Sequence, residues 1–500
     1  MMVRCVVSVL ILISPLLGGC AASGPPDAGP SDAGVGGSIS LGDAGSNDEP
    51  GPQLPDPFLP QPDVDEGLTN TDFDLDALLE HGALEGACEA WLASPNDRRQ
   101  KLLCGKSMFF YEGFGTIGVP KALLEFFGNR FPAVSGSAWS GIGLVPDPTH
   151  PGLPLGVAPG APLGSVETLA FTCASCHFAQ LPDGRYSVGA PNHAYDYGEH
   201  ILAISLPAQS VAPGFNAADH HPDAMAKAQP YIDILHADRG LRLELLLNLL
   251  PLLGAEQPVF SPEIEGHYAH WLTGTMDFMM APLPLDDGVH TVSKILSLWG
   301  VPTPTEVSGA GMPNELLAWT GGAESLIGFL DGFVAIGAGI DGEWSHERLS
   351  PLQEYILSLR SPTNPAVPPV NTQEGRQLFS TVGCLDCHDG PRGMGRSTWP
   401  YSEIGTDTAM MAWGDADMDG DYCCDFVGTP THELKSPRLV GLWAQSRFLH
   451  NGSVASLEEL LCLTPRTPSS LPAQGSDGHV FGCDLSNHER EALVLFLRSL

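Results

Sequence analysis

The sequence predicts a mainly α-helical protein of two domains with long Gly/Pro-rich loops. Apolar residues recur at helical spacing on both sides of a proline-rich junction near Ser361. One five-residue pattern also occurs once on each side, as Cys173-Ala174-Ser175-Cys176-His177 and as Cys384-Leu385-Asp386-Cys387-His388. The region before the junction is rich in Gly and Pro, which reads as helices joined by long loops.

C-x-x-C-H is the attachment pattern of a c-type haem. Its cysteines add across the porphyrin vinyl groups, and the adjacent histidine reaches the iron as proximal ligand. A single match has competing readings: chance, or a metal or redox C-x-x-C pair beside a bystander histidine. Two matches weaken those readings in a chain with only 12 cysteines in 500 residues. The expectation is two haem c groups, attached at Cys173 and Cys176 and at Cys384 and Cys387, with His177 and His388 as axial ligands.

Haem is attached outside the cytoplasm, and the first residues agree. Met1 to Arg4 form a short basic start, and Cys5 to Leu17 form an apolar run too short to span a bilayer. Leu17-Gly18-Gly19-Cys20 reads as a lipobox, resembling the signal of bacterial lipoproteins that are cleaved before the cysteine and acylated on it. The plainer alternative is an ordinary signal peptide with an accidental cysteine. Ala21 after Cys20 resembles the outer-membrane sorting signal. Residues 1–19 are thus expected to be a signal peptide, with lipidation at Cys20 holding the protein to the outer membrane. Residues 20–67 are Gly, Pro, Asp, Ser and Ala with almost no aromatics, and are expected to form a disordered tether. Later on, Leu241 to Leu253 is leucine-rich, but it is short and interrupted by Arg242 and Glu244. The lipid is therefore the only expected membrane contact.

The first domain is expected over 68–362. Its last helix follows from Leu352, Tyr355, Ile356 and Leu359, and it stops at Ser361-Pro362. Ser361 to Pro369 reads as a linker. Glu374 to Phe379 then forms a short helix running into the second motif. A helix followed by C-x-x-C-H opens a cytochrome c domain, and a helix packed across the first should close it. Leu493, Phe496, Leu497 and Leu500 supply that stripe, with Ser486 or Asn487 as N-cap. The second domain spans 366–500, giving two cytochrome c-like haem domains.

The formal charge of −36 argues against nucleic acid or an anionic membrane as partner, since both need basic surface. An acidic face could steer a basic electron-transfer partner, or simply keep a tethered protein soluble. Six cysteines remain outside the signal and the haem motifs, an even number for an oxidising compartment. Cys88 and Cys104 are close in sequence and expected to pair. Adjacent cysteines rarely bond each other, so Cys423 and Cys424 are each expected to reach one of Cys462 and Cys483, in an order left open.

Lys435-Ser436-Pro437-Arg438-Leu439-Val440-Gly441-Leu442-Trp443 leads into Phe448-Leu449-His450-Asn451-Gly452-Ser453-Val454, and Glu491 to Leu497 ends the chain. This succession resembles the C-terminal domain of dihaem bacterial cytochrome c peroxidases. That superfamily includes the dihaem enzyme of methylamine utilisation and the dihaem rubber oxygenases. Gly189-Ala190-Pro191-Asn192 and the Leu-His-Asn-Gly-Ser-Val form look closest to the rubber-oxygenase-like branch.

The departures from that pattern matter. The peroxidases place a methionine ligand to the C-terminal haem after the His-Asp/Asn-Gly element, and the methylamine enzyme a tyrosine. Here that place falls near Thr464, and no Met or Tyr follows His450. His479 is the expected sixth ligand, with His450 the alternative; His488, in the first turn of the last helix, reads as solvated. His450 matches a family histidine that lies near haem without binding iron. A His/His haem has a lower potential than His/Met and would pass electrons without binding substrate. The first haem is then the reactive one. His193 lies at the distance of the peroxidases' far-side histidine, and His200 follows. His193 comes after a stretch resembling sequence beyond that ligand, so an open or weakly capped iron is expected. Met276, Phe278, Met279 and Met280 could line its pocket, or could be plain core. The resemblance also implies an aromatic between the haems, for which Trp299 leads Trp271 and Trp319.

Asp415, Asp417, Asp419 and Asp421, with Gly420, reproduce half of an EF-hand loop. Phe426 stands where its bidentate Glu belongs, so the expectation is a looser Ca2+ loop or an acidic turn. The functional expectation is an exported dihaem oxidoreductase, peroxidase-like, acting with a small redox protein or a small oxidant, peroxide or dioxygen. A rubber-oxygenase-like haem dioxygenase and a non-catalytic electron-transfer cytochrome are the alternatives.

Overall fold

Helix starts in this chain are set by short polar side chains that take up the free N–H groups of a first turn. Asp97 caps helix α1 (Arg98–Tyr111), accepting the Gln100 N–H at 3.2 Å. Thr172 caps α2 (Cys173–His177), and Asp196 caps α3 (Tyr197–Ser210). Helices α4 (Pro222–Ala237) and α5 (Pro262–Ala269) both begin with proline at the first helical position. Then come α6 (Leu326–Ile336), α7 (His346–Ser358), α8 (Gln373–Thr381) and α9 (Asn487–Leu497). Ser486 caps α9 in a reciprocal capping box with Glu489. The computed structural model describes residues 56–58, 67–116, 118–122, 124–125, 138–150, 152–162, 166–212, 214–240, 242–243, 261–277, 292–336, 345–366, 372–412, 433–469, 471 and 473–500.

Ten short strands accompany these helices, in four small antiparallel sheets. Phe178–Gln180 and Tyr186–Val188 form a hairpin directly after the first motif, with Thr71–Asp72 on its outer edge. Thr168–Phe171 lies between Val119–Pro120 and Val157–Pro159 and leads into α2. The arrangement is mixed, helices with small sheets, which corrects the expectation of a mainly α protein. Strands of two to four residues carry too little alternation to register as a pattern.

Two helix crossings frame the motifs. Helix α1, upstream of the first motif, is crossed by α7; α8, upstream of the second, is crossed by α9. Each crossing is closest at a glycine. A Cβ on Gly105 would lie 2.1 Å from the Pro351 carbonyl oxygen, and one on Gly375 would lie 2.1 Å from that of Ala492. Three cores result. One gathers Phe109, Phe110, Phe178, Trp299 and Tyr355; a second packs α3, α4 and α5; a third runs from Phe379 to Leu497.

Residues 56–500 form one compact unit. Within it lie four described residues of the expected tether, 56–58 and Gly67. The Phe58 ring sits edge-on to Phe379 and Phe496, 5.2 Å from each, and Asp56 pairs with Arg376. An aromatic in a segment poor in them thus finds an apolar site that buries it. Cys20 lies outside the described residues. No described helix is long and apolar enough to cross a membrane.

Candidate functional site

The second motif follows α8 directly. Gly383, at φ +89°, turns the chain out of the helix, and Cys384–Asp386 makes one 3-10 turn. The turn brings Cys384, Cys387 and His388 onto one cavity of about 620 Å³. That volume is typical of small-molecule and cofactor sites. Phe379, Leu439, Leu442, Phe448, Leu457 and Leu493 form much of its wall. Both cysteines carry free thiols, which burial pushes up to about 11. His388 Nδ1 lies 2.5 Å from the Gly393 carbonyl oxygen. A carbonyl only accepts, so Nδ1 carries the proton and Nε2 keeps its lone pair. Burial lowers the pKa of this imidazole, holding it neutral.

His479 lines the same cavity. Its pKa falls to about 4, first through burial and then through the neighbouring His388. Its Nδ1 is buried without a hydrogen-bond partner among the described residues. His450 also lines the cavity, but its Nδ1 stands 3.4 Å from the Thr406 hydroxyl, and its ring is edge-on to Trp319 and Tyr401. Burial likewise lowers its pKa to about 4, and the charge that reaches it is that of Asp407. Of the two candidates, His479 is the one with an unpartnered ring nitrogen, whereas His450 Nδ1 faces the Thr406 hydroxyl. His488 is exposed and paired with Glu374.

The backbone that presents His479 is strained, at φ +46°. Three features hold it there. The His479 N–H donates to the Ile404 carbonyl at 2.8 Å. Arg466 donates to the carbonyls of Ser476, Gly478 and His479 on one side and of Glu459 and Leu460 on the other. A disulfide joins Cys462 to Cys483 and closes the loop containing His479. That bond corrects the expected pairing, since neither cysteine remains for Cys423 or Cys424, which lie outside the described residues. Cys88 and Cys104 are bonded to each other.

Three cationic side chains, Lys294, Lys435 and Arg438, also line this cavity. Burial lowers the Lys294 ammonium to about 7 and the Arg438 guanidinium to about 10, and takes Lys435 well below the usual lysine range. Lys435 and Arg438 belong to the quoted Lys-Ser-Pro-Arg run, yet nothing in the run marked them as cavity residues.

The first motif is gripped by backbone. The Thr172 hydroxyl donates to the Phe109 carbonyl, and a Cβ on Gly156 would lie 2.1 Å from the Ser175 nitrogen. Gly189 N–H donates to His177 O, and Asn192 N–H to Cys176 O. The Gly189 to Asn192 segment thus packs the motif. Cys173 and Cys176 carry free thiols, pushed up by burial to about 12 and about 11. His177 Nδ1 donates to the Leu296 carbonyl at 2.9 Å, leaving Nε2 its lone pair, and burial lowers its pKa to about 4. His193 has both ring nitrogens committed: Nε2 donates to Ile295 O at 3.1 Å and Nδ1 accepts from Ser446 N–H at 3.1 Å. These bonds take away the lone pair a ligand needs, which corrects its candidacy. His200 bonds the Tyr195 hydroxyl through Nδ1 at 2.7 Å, and its buried Nε2 has no partner among the described residues.

The segment Lys294 to Trp299 lies between the two motifs. The Leu296 carbonyl holds His177, while the Lys294, Leu296 and Ser297 side chains line the cavity of His388. Trp299 is fully buried. Its indole donates to Val188 O at 2.8 Å, and its carbonyl accepts from Arg438 Nε at 3.0 Å. Trp271 stacks on Tyr268, and Trp319 lines the cavity under Lys294. Met276 packs against the core of α3 to α5. Phe278, Met279, Met280 and the acidic loop of Asp415, Asp417, Asp419 and Asp421 lie outside the described residues. Among the described residues, no three His, Cys, Asp or Glu side chains gather as a metal cluster.

No family model matches the chain, and no curated protein matches it. A solved structure of hydrazine synthase from Kuenenia stuttgartiensis, pressurised with xenon, aligns with a TM-score of 0.27 and 21% identity. That alignment covers 47% of this chain and 79% of the other. A likeness of this size carries no argument about fold or function.

Proposed function

We propose that the chain is an exported, lipid-tethered c-type cytochrome with two covalent haems, whose C-terminal site relays electrons and whose N-terminal site meets a small oxidant. The observation that carries this reading is one apolar cavity shared by Cys384, Cys387, His388 and His479. The residues fit a haem. The cavity has a volume suited to a cofactor and a wall suited to a porphyrin face. Two thiols in the attachment spacing open onto it, and two buried imidazoles, His388 and His479, line it with them.

When bound, a haem supplies one-electron chemistry at its iron, and oxidant chemistry where a coordination position stays open. Cys384 and Cys387 would hold it covalently, and His388 and His479 would bind its iron. The Gly393 carbonyl fixes the His388 tautomer, while the Arg466-bound loop supplies the second imidazole. With two imidazoles supplied by the chain, the group would pass electrons without binding substrate, which suits a relay. At the other site His177 is held in the same tautomer by Leu296, and His193, bonded to backbone, is not spare to cap the opposite side. Leu296 touches both sites and gives them a common wall. Export and tethering rest on Leu17 to Cys20.

A pyridine haemochrome assay should count two covalent haems per chain, and any other count overturns the proposal. In the ferric electron-spin resonance spectrum, His479→Ala should convert one low-spin signal to high spin. If His450→Ala does this and His479→Ala does not, the ligand assignment is wrong. Carbon monoxide should bind one iron of the reduced protein; binding at neither leaves a plain electron carrier.

A further inference from the structure

Lys106 shows how the fold satisfies a buried cation by itself. Lys106 is fully buried, and its three donors reach Thr69 O, Leu78 O and Glu80 Oε2 at 2.6–2.8 Å. The cations of the C-terminal cavity are treated differently. Lys294 meets only the neutral Gln445 amide oxygen at 3.3 Å and the rings of Trp319 and Phe448. Arg438 donates to two carbonyls, Trp299 O at 3.0 Å and Ser297 O at 2.6 Å. Lys435 is buried and lines the cavity, and among the described residues it forms no ion pair with a carboxylate. The chain holds 59 Asp and Glu against 23 Lys and Arg, yet among the described residues no carboxylate pairs with any of these three. Burying cationic side chains without a carboxylate partner is costly, and these three line a cavity of about 620 Å³ that can admit an anionic ligand to keep them charged.

We propose that Lys294, Lys435 and Arg438 form a carboxylate-binding subsite that takes the propionate groups of the haem in the C-terminal cavity. This rests on the reading of that cavity as a haem site. The rest of the rim agrees with the orientation. Asp386 and Glu403, the carboxylates that border the cavity, lie beside Cys387 and would repel an anion there. The anionic edge of the macrocycle is thereby directed away from the thioether side and toward the cations.

Lys435→Met and, separately, Lys294→Met test this in the full-length haem-loaded protein. Two separate variants keep the test open where one fails to fold. In each, the propionate bending band of the low-spin haem should shift in the resonance Raman spectrum. Its midpoint potential should fall, because a positive charge opposing the ferric state is gone. Lys121→Met, at an exposed pair with Glu167, should change neither. An unshifted propionate band in both variants overturns the subsite and assigns the cations to another carboxylate. Fewer than two covalent haems in the unaltered protein overturns the underlying haem reading instead.

Discussion

Arg466 shows what a single residue can do at this site. Its guanidinium satisfies five carbonyls from two segments that nothing else in sequence relates, and one of those carbonyls is that of His479 itself. A guanidinium offers five donors in a rigid fork, so lysine cannot reproduce the set. Arg466→Met should lower stability by roughly 2–3 kcal/mol, less than five separate bonds would sum to, because freed loop carbonyls regain water. Thermal denaturation reads the loss, and amide exchange should quicken at 476–479 first. Arg466→Lys should recover only part of it. The motif residues Cys173, Cys176, His177, Cys384, Cys387 and His388 were legible because each motif is one contiguous run of fixed spacing that occurs twice. His479 was reachable by elimination among the later histidines. Arg466, Lys294 and Lys435 were not legible, since their partners are carbonyls and a cavity assembled from distant segments. The disulfide reading failed for a related reason: Cys462 and Cys483 meet through a loop closure of 21 residues that spacing alone does not reveal.

At the scale of elements, the helices were the readable part. The apolar stripe and the Ser486 cap define α9, and Leu352, Tyr355 and Ile356 define the buried face of α7. Strands of two to four residues and the loops between them answer to tertiary contacts and left no periodic trace. The helix crossings carry a sharper test. Gly375→Ala would place its Cβ 2.1 Å from the Ala492 carbonyl oxygen and 2.6 Å from Phe496 Cβ. The crossing of α8 and α9 must open, which should cost about 2 kcal/mol, within the range for overpacking. Gly332→Ala, in α6 with nothing within 4 Å of the added Cβ, is the matched control. It should raise stability by up to about 1 kcal/mol through helix propensity. Equal stabilisation of both variants would mean that helix propensity, not the close approach, dominates at Gly375.

Over the whole molecule, the two motif-bearing halves are joined by buried contacts, not merely linked by Ser361 to Pro369. Trp299 rests against Gly441, where an added Cβ would lie 2.3 Å from its ring. Arg392 reaches back from the second motif to Gly300 O at 2.6 Å and grips Glu306 through both guanidinium nitrogens at 2.7 and 3.0 Å. Arg392 is buried and Glu306 half-buried. Burial alone would raise the Glu306 carboxyl, but the Arg392 and Thr303 hydrogen bonds outweigh it and hold the pKa below the ordinary 4.5. A depressed carboxyl contributes stability above its unfolded pKa and loses it as pH falls through the folded value. The native protein should therefore keep this contribution down to about pH 4.5 and lose it only below. In Arg392→Met, Glu306 keeps its partial burial without its partner, so its pKa rises and the ionised form becomes a liability near neutrality. The variant should be less stable than the native protein by about 2 kcal/mol at pH 7, the range for a hydrogen bond to a charged group. Melting temperatures recorded from about pH 7 to about pH 3.5 should converge through the acid range as Glu306 takes up its proton in both proteins. Parallel curves would show that Arg392 acts through packing alone and that the charge pair contributes nothing to the junction of the two halves.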